Sequence, residues 1–159
     1  MFKGRRYSVA EMLATPSADR TPVLVGRVHD VAGNARHVAD LVAAGDSLGN
    51  CWRFGVLQTL DDYTSTLRRG GPGLAATVFD DEPPRTGSPE IDAAFAALAE
   101  FLADRDGWPV PAWALDGDRR VESWYPEVPW FDRAEAEESS PAPFRARGIY
   151  ITTRSLARA

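Results

Sequence analysis

The stretch of sequence that decides the fold is residues 88–107, SPEIDAAFAALAEFLADRDG. Ser88 is a favourable N-cap, Pro89 suits the first helical position, and Gly107 suits the end of a helix. Between these ends, apolar residues recur at intervals of three and four and form one stripe: Ile91, Ala94, Phe95, Leu98, Phe101 and Leu102. The pattern predicts a helix from Ser88 to Asp106 that packs this stripe into the main core.

Helical patterns also precede this stretch. Residues 35–44 form a shorter pattern after a break at Gly33, and residues 50–69 form a longer one that ends at a glycine-rich run. Residues 22–28 and 149–153 are rich in β-branched residues and favour short strands. The predicted fold class is therefore mainly α, a small irregular helical domain with at most a few short strands.

A proline-containing segment divides the chain into two regions. Residues 80–87 contain two prolines, three acidic residues and a glycine, which is typical of an exposed linker. We therefore distinguish an N-terminal helical region, residues 1–80, from a C-terminal region, residues 81–159. We expect both to pack as one domain, because a chain of 159 residues can bury a core without disulfides or metals.

The composition is ordinary for a soluble globular protein, with 44% hydrophobic and 26% charged residues. No apolar run approaches the roughly 20 residues that span a bilayer, so we predict no membrane partner. Cys51 is the single cysteine of the chain, so it cannot form an intrachain disulfide. The expected location is the reducing cytoplasm.

The net charge of −5 conceals an uneven distribution. Residues 80–139 carry sixteen acidic and five basic side chains, whereas residues 140–159 carry four basic and no acidic ones. An acidic segment repels nucleic acid and attracts a basic partner. The alternative interpretation is an ordinary solvated acidic surface.

The residue patterns do not indicate catalysis or a cofactor. Cys51 with His29 or His37 is compatible with a nucleophilic site, but an isolated cysteine is more often a small core residue. The cysteine and histidines lack zinc-ligand spacing, and the glycine-rich run 70–73 lacks the Lys-Ser/Thr pair of a phosphate loop. We therefore predict a protein with no catalytic residues, no metal and no cofactor.

Tryptophans are concentrated in the C-terminal half. Four of the five lie between residues 108 and 130. Large aromatic side chains can fill a small irregular core where helices are short. They also dominate binding hot spots together with arginine, so an exposed anchor set for a protein partner is the alternative.

Several short motifs follow one another along the chain after residue 85. They are Pro111-Ala112-Trp113, Trp124-Tyr125-Pro126, the Ser-Pro-Ala-x-Phe-Arg-x-x-Gly-Ile-x-Ile pattern from Ser140 to Ile151, and Leu156-Ala157-Arg158-Ala159. In this half, the chain resembles an actinobacterial antitoxin-like family found beside nucleotidyltransferase-like toxins. The resemblance implies that the partner is a cognate toxin of that type and that the role is binding, not catalysis.

Two other functions are weighed against this one. Some members of the family carry a helix-turn-helix domain in front, and residues 1–79 are slightly basic, so a DNA-binding transcriptional regulator with operator DNA as its partner is the second candidate. Residues 1–80 nevertheless lack a clear helix-turn-helix pattern. A small enzyme of unknown class is the least favoured of the three.

The C-terminal region supplies the residues predicted to contact the partner. Its four arginines suit multidentate recognition of carboxylates or phosphates, and a nucleotidyltransferase site contains carboxylates that hold metal and nucleotide. The alternative is that these arginines pair with the acidic region and hold the tail down. The predicted partner-binding residues are Trp113, Trp124, Phe144, Arg145, Arg147, Tyr150, Arg154 and Arg158.

Overall fold

The computed structural model describes residues 29–157, and these are mainly helical, as the sequence predicts. Six α-helices follow one another in this range: α1 (Val31–Ala43), α2 (Leu48–Cys51), α3 (Gln58–Ala76), α4 (Pro89–Asp106), α5 (Arg133–Ser139) and α6 (Ala142–Arg145). A π-helical turn, Trp52–Leu57, joins α2 to α3, and 3-10 turns lie at Thr77–Phe79, Ala112–Leu115 and Trp130–Asp132. The predicted strand at residues 22–28 and the predicted site residue Arg158 lie outside the described residues.

Helix α4 is the centre of the fold and has the predicted ends. The Ser88 side chain accepts a hydrogen bond from the backbone N–H of Ile91 (3.3 Å), and Gly107 ends the helix with a φ of 79°. Every residue from 91 to 99 is buried, so α4 is covered on all sides and buries more than the predicted stripe. Five of these nine residues are alanines, whose small side chains let neighbouring elements approach closely.

Helix α1 begins earlier than the sequence pattern predicts. Asp30 caps it by accepting a hydrogen bond from the Gly33 backbone N–H (2.7 Å). The buried side-chain amide of Asn34 donates to the Thr59 hydroxyl and to the Asp62 carboxylate, at 2.9 Å each. The predicted break at Gly33 is wrong, because the cap and this buried amide hold the residues in the helix.

The helix predicted at residues 50–69 is present, but a π-helical turn interrupts its regular geometry. This turn places Trp52 and Val56 in the core and leaves Phe54 half exposed. Because a π turn holds an extra residue, it shifts the face that the following helix presents to the core. Gly71 then interrupts α3 with a φ of 78°, within the glycine-rich run where the helix was expected to end.

The linker between the two predicted regions is partly anchored in the core. Pro83 and Thr86 are buried, so the prediction of an exposed linker is wrong at these two residues. The backbone N–H and the hydroxyl of Thr86 both donate to the carboxylate of Asp92 on α4, at 2.9 Å each. These hydrogen bonds offset the burial of a carboxylate and fix the chain at the start of α4.

The closing residues run beside an irregular segment of the chain. Ile149 and Trp124 form a parallel bridge, and the described residues contain no sheet, so the strand expected at 149–153 is reduced to this bridge. Gly148 has a φ of 77°, and a β-carbon there would lie 2.0 Å from the carbonyl oxygen of Val121. Only glycine fits at this close approach.

Ser140 connects two parts of the chain through its side chain. Its hydroxyl donates to the carbonyl oxygen of Ala136 in α5 and accepts from the backbone N–H of Ile151 (2.7 Å). The residue at the start of α6 is Pro141, which has no side-chain capping hydrogen bond. Ser140 therefore joins the end of α5 to the C-terminal tail.

One hydrophobic core connects the described parts of both predicted regions. It contains Val31 and Val56 from the first region, and Phe95 and Ile151 from the second. Each of these four side chains is completely buried. Truncation in one region is therefore expected to destabilise the other.

We expect Phe95→Ala to lower the free energy of unfolding by about 3–5 kcal/mol, because it leaves a cavity in the centre of this core. Phe95 is completely buried, whereas Phe54 is 50% exposed. The control Phe54→Ala should cost less than about 1 kcal/mol. Urea unfolding of the two variants measures the difference, and equal losses would show that α4 is not the centre of the core.

The buried hydroxyl of Tyr63 joins α3 to the end of α4. It donates to the Asp106 carboxylate and accepts from the indole N–H of Trp108 (2.8 Å). Burial, together with the hydrogen bond to Asp106, raises the pKa of Tyr63 to about 12. The folded protein therefore holds this proton more tightly than the unfolded chain, whose tyrosines titrate near about 10.

This shift predicts a loss of stability in alkali. The contribution of Tyr63 is complete below about pH 10 and is lost as the pH rises from about 10 towards 12. Tyr63→Phe should be less stable than the wild type at neutral pH, because the variant lacks both hydrogen bonds. It should lose less further stability between about pH 10 and 12. Free energies of unfolding of both proteins between pH 8 and about 12 test this, and parallel curves would contradict it.

Candidate partner-binding surface

Three of the predicted contact residues are buried and hold the fold together. The indole N–H of Trp113 donates to the carbonyl oxygen of Phe79 (3.0 Å), and Phe144 is completely buried. The Arg147 guanidinium pairs with Glu100 of α4 and donates to the carbonyl oxygen of Ala114 (2.7 Å). Arg147 therefore joins the C-terminal tail to α4, and Trp113 joins its turn to Phe79. None of the three side chains is presented to a partner in this fold.

Two further predicted residues lie at the edge of the core. Trp124 packs edge-to-face on Trp52, with ring centroids 5.8 Å apart. Tyr150 stacks on Tyr125 at 5.1 Å. Both predicted side chains are partly buried, so each offers a partner only part of its ring.

Two more of the predicted partner-binding residues, Arg145 and Arg154, are exposed. Arg145 donates to the carbonyl oxygens of Ser140 (2.8 Å) and Glu138 (3.3 Å), which places a cation at the C-terminal end of α5. Arg154 has a side chain that is 70% exposed and lies 3.5 Å from Asp132. The predicted residues are therefore divided between core and surface and do not form one exposed patch.

The most exposed large apolar side chains lie elsewhere, at Trp130 and Phe131. Trp130 is 80% exposed and Phe131 is 65% exposed, and their rings meet edge-to-face with centroids 5.7 Å apart. The sequence-based site did not include them. Their signal in the sequence is Pro129-Trp130-Phe131, an aromatic pair directly before an acidic helix.

The aromatic pair leads into a helix whose side chains contact Tyr125. The pair lies in the 3-10 turn that leads into α5. The Arg133 guanidinium lies 4.6 Å from the ring centre of Tyr125, and the Tyr125 hydroxyl donates to Glu137 (2.6 Å). That hydrogen bond raises the pKa of Tyr125. A preorganised support lowers the entropy that a partner must overcome on binding.

Acidic side chains follow the pair along the chain. Residues 130–139 contain four acidic side chains and one basic one. We call this surface the aromatic–acidic surface, and it comprises Trp130, Phe131, Asp132, Glu135, Glu137 and Glu138. Exposed aromatic rings with a charged rim have the composition of a protein-binding hot spot.

A cleft of about 300 Å³ lies beside this surface. Trp52, Val128 and Pro129 give it apolar walls, while Asp132 and Arg154 provide opposite charges. Since Pro129 and Asp132 flank the aromatic pair in the chain, a partner that covers the rings can also reach the cleft. The two features together offer an apolar projection and an adjoining recess.

The residues considered for catalysis are not brought together. His29 and His37 line a groove of about 1120 Å³ that Cys51 does not line. Cys51 is completely buried, and burial raises the pKa of its thiol, which disfavours the reactive thiolate. Among residues 29–157, no group of three or more His, Cys, Asp or Glu side chains could hold a metal ion.

No protein-family model, no curated protein and no solved structure matches this chain. In the part of the chain that the structure describes, no helix is both long and apolar enough to cross a membrane. The aromatic–acidic surface, with the most exposed large apolar side chains of the described residues, is therefore the candidate functional site.

Proposed function

We propose that this chain is an antitoxin-like protein that binds and neutralises a nucleotidyltransferase-type toxin in the cytoplasm. The observation that carries the proposal is the pair of exposed aromatic rings, Trp130 and Phe131, directly before an acidic helix. A contiguous exposed apolar patch with polar residues at its rim often marks a protein interaction site. The C-terminal motifs, which resemble those of an antitoxin-like family, supply the class of partner.

The charge of the surface suits such a toxin. A nucleotidyltransferase binds nucleotides and nucleic acid, so it needs basic side chains around its site. The described residues carry 21 acidic and 12 basic side chains, and four of the acidic ones adjoin Trp130 and Phe131. This charge favours an interface in which acidic side chains of this chain face basic side chains of the toxin. The two rings would then fill an apolar recess of the toxin.

This proposal shifts the contact away from the arginine-bearing tail. Arg147 is bound to Glu100 within the fold, and Arg145 to backbone carbonyl oxygens at the end of α5. Arg154 lies beside Asp132 and Glu135, at 3.5 and 3.6 Å. The described tail arginines therefore have internal partners, and their contribution to binding is expected to be smaller than that of the aromatic pair.

Co-expression with the product of the adjacent open reading frame tests the proposal. We expect a nucleotidyltransferase-like protein to co-purify with this chain at fixed stoichiometry and to stop growth when expressed alone. The interaction should weaken with added salt, since it is partly electrostatic. A neighbour that neither binds this chain nor arrests growth would contradict the proposal, as would selective capture of DNA in its place.

A further inference from the structure

Arg119 is almost completely buried, yet only part of its guanidinium is paired. Its side chain is 1% exposed. The Nη2 atom donates to the carbonyl oxygen of Pro83 (2.8 Å) and lies 3.3 Å from Oε1 of Glu82. Nε and Nη1 have no hydrogen-bond partner among the described residues. Both of these atoms are buried, so the donor that a ligand could reach by displacing Glu82 is Nη2.

Trp113 holds the guanidinium in place. The central carbon of the Arg119 guanidinium lies 5.2 Å from the Trp113 ring centre, within cation–π distance. The ring itself is fixed, because its N–H donates to the carbonyl oxygen of Phe79 (3.0 Å). The charge is therefore preorganised at this position.

The pocket beside Arg119 gathers further positive charge. It has a volume of about 500 Å³ and is lined by Arg36, Glu82, Pro83, Pro84, Arg85 and Arg119. Arg36 makes no ion pair or hydrogen bond with any residue of the described range, and Arg85 pairs with Asp116 outside the lining (3.0 Å). Three arginines and one carboxylate, Glu82, therefore line the pocket, and the Asp116 carboxylate outside it pairs with one of the three arginines.

Glu82 is a weak counter-ion for Arg119. Its side chain is 59% exposed, and its single contact with the guanidinium is at 3.3 Å. An exposed carboxylate held at one point is readily displaced by a ligand with more acceptor oxygens. A competing anion can therefore take the place of the Glu82 carboxylate beside Arg119.

We propose that this pocket binds a phosphoryl dianion, which displaces Glu82 and bridges Arg119, Arg36 and Arg85. A phosphoryl group offers three acceptor oxygens and up to two charges, and arginine pairs with it through two parallel donors. A carboxylate monoanion offers two oxygens and satisfies fewer donors. The inference rests on this pocket alone and does not depend on the proposed function.

Calorimetric titration of the full chain at constant ionic strength tests this site. The probes are inorganic phosphate, AMP and acetate. We expect one molecule of phosphate or AMP to bind per chain and acetate to bind at least about tenfold more weakly. Tighter binding of AMP than of phosphate would assign a nucleotide, and equal binding would assign the free ion. No phosphate or AMP binding, or equal binding of acetate, would overturn the proposal.

Substitutions at two exposed lining residues, Arg36 and Glu82, distinguish a ligand site from a purely structural role of Arg119. Arg36→Gln should weaken phosphate binding about tenfold, whereas Arg68→Gln, an exposed arginine outside the pocket, should not change it. Glu82→Gln should tighten phosphate binding about threefold, because it removes the competing carboxylate. The control Glu138→Gln has the same charge change elsewhere and should have no effect. Unchanged affinity in both Arg36→Gln and Glu82→Gln would show that the pocket is not the phosphate site.

Discussion

The double variant Trp130→Ala/Phe131→Ala is expected to lose binding to the proposed toxin partner while its fold stays intact. The two rings are 80% and 65% exposed, so their removal leaves the core unchanged. Truncation of a hot-spot aromatic residue costs about 2 kcal/mol or more of binding free energy. The dissociation constant should therefore rise at least about 100-fold, even if the two losses are not fully additive.

The matched control removes apolar side chains of similar exposure elsewhere. Phe54 is 50% exposed and Leu115 is 59% exposed, and neither belongs to the aromatic–acidic surface. Phe54→Ala/Leu115→Ala should bind the toxin as the wild type does. Both double variants should keep the wild-type melting temperature to within a few degrees. Equal affinities of the two double variants would exclude the aromatic pair as the contact.

Deletion of residues 149–159 is expected to unfold the protein. Ile149 and Ile151 are completely buried, and burial of such a side chain contributes about 1.5–3 kcal/mol. The deletion also removes the hydrogen bonds from the backbone N–H of Tyr150 to Trp124 and from that of Ile151 to Ser140. This loss is comparable with the whole stability of many domains, about 5–15 kcal/mol.

A shorter deletion separates the tail's structural role from a binding role. Removal of residues 157–159 leaves Ile149 and Ile151 in place, so we expect a folded protein with unchanged toxin binding. Circular dichroism and thermal melting measure the fold of both deletions. A folded protein that lacks residues 149–159 and no longer binds the toxin would instead make the tail an interaction arm.

The positions of the helix ends could be predicted because they depend on local chemistry. Ser88 and Gly107 bound α4 in the structure as their residue types indicate, through a side-chain cap and a left-handed backbone. The start of α1 has a local signal as well, the N-cap Asp30, which the apolar pattern at residues 35–44 does not include. Continuation of the helix through Asn34 depends instead on distant contacts. Asn34 is a poor helix former locally, and its side-chain amide is satisfied by Thr59 and Asp62, which lie far along the chain.

The candidate surface was only partly predictable, for a related reason. Trp113 and Trp130 both follow a proline or a Pro-Ala pair, and both start or lie in short 3-10 turns, yet one is buried and the other is 80% exposed. What separates them is tertiary: Trp113 meets the carbonyl oxygen of Phe79 and the Arg119 guanidinium. Composition identified an aromatic-rich region, but burial decides which of its rings can reach a partner.

The antitoxin role is tested most directly by the rate of nucleotidyl transfer catalysed by the purified toxin as this chain is added. The rate should fall to near zero at one equivalent of the wild-type protein. It should recover when the Trp130→Ala/Phe131→Ala variant replaces the wild type at the same concentration. A rate that stays unchanged in excess wild-type protein would contradict the role assigned to the aromatic–acidic surface and the antitoxin function with it.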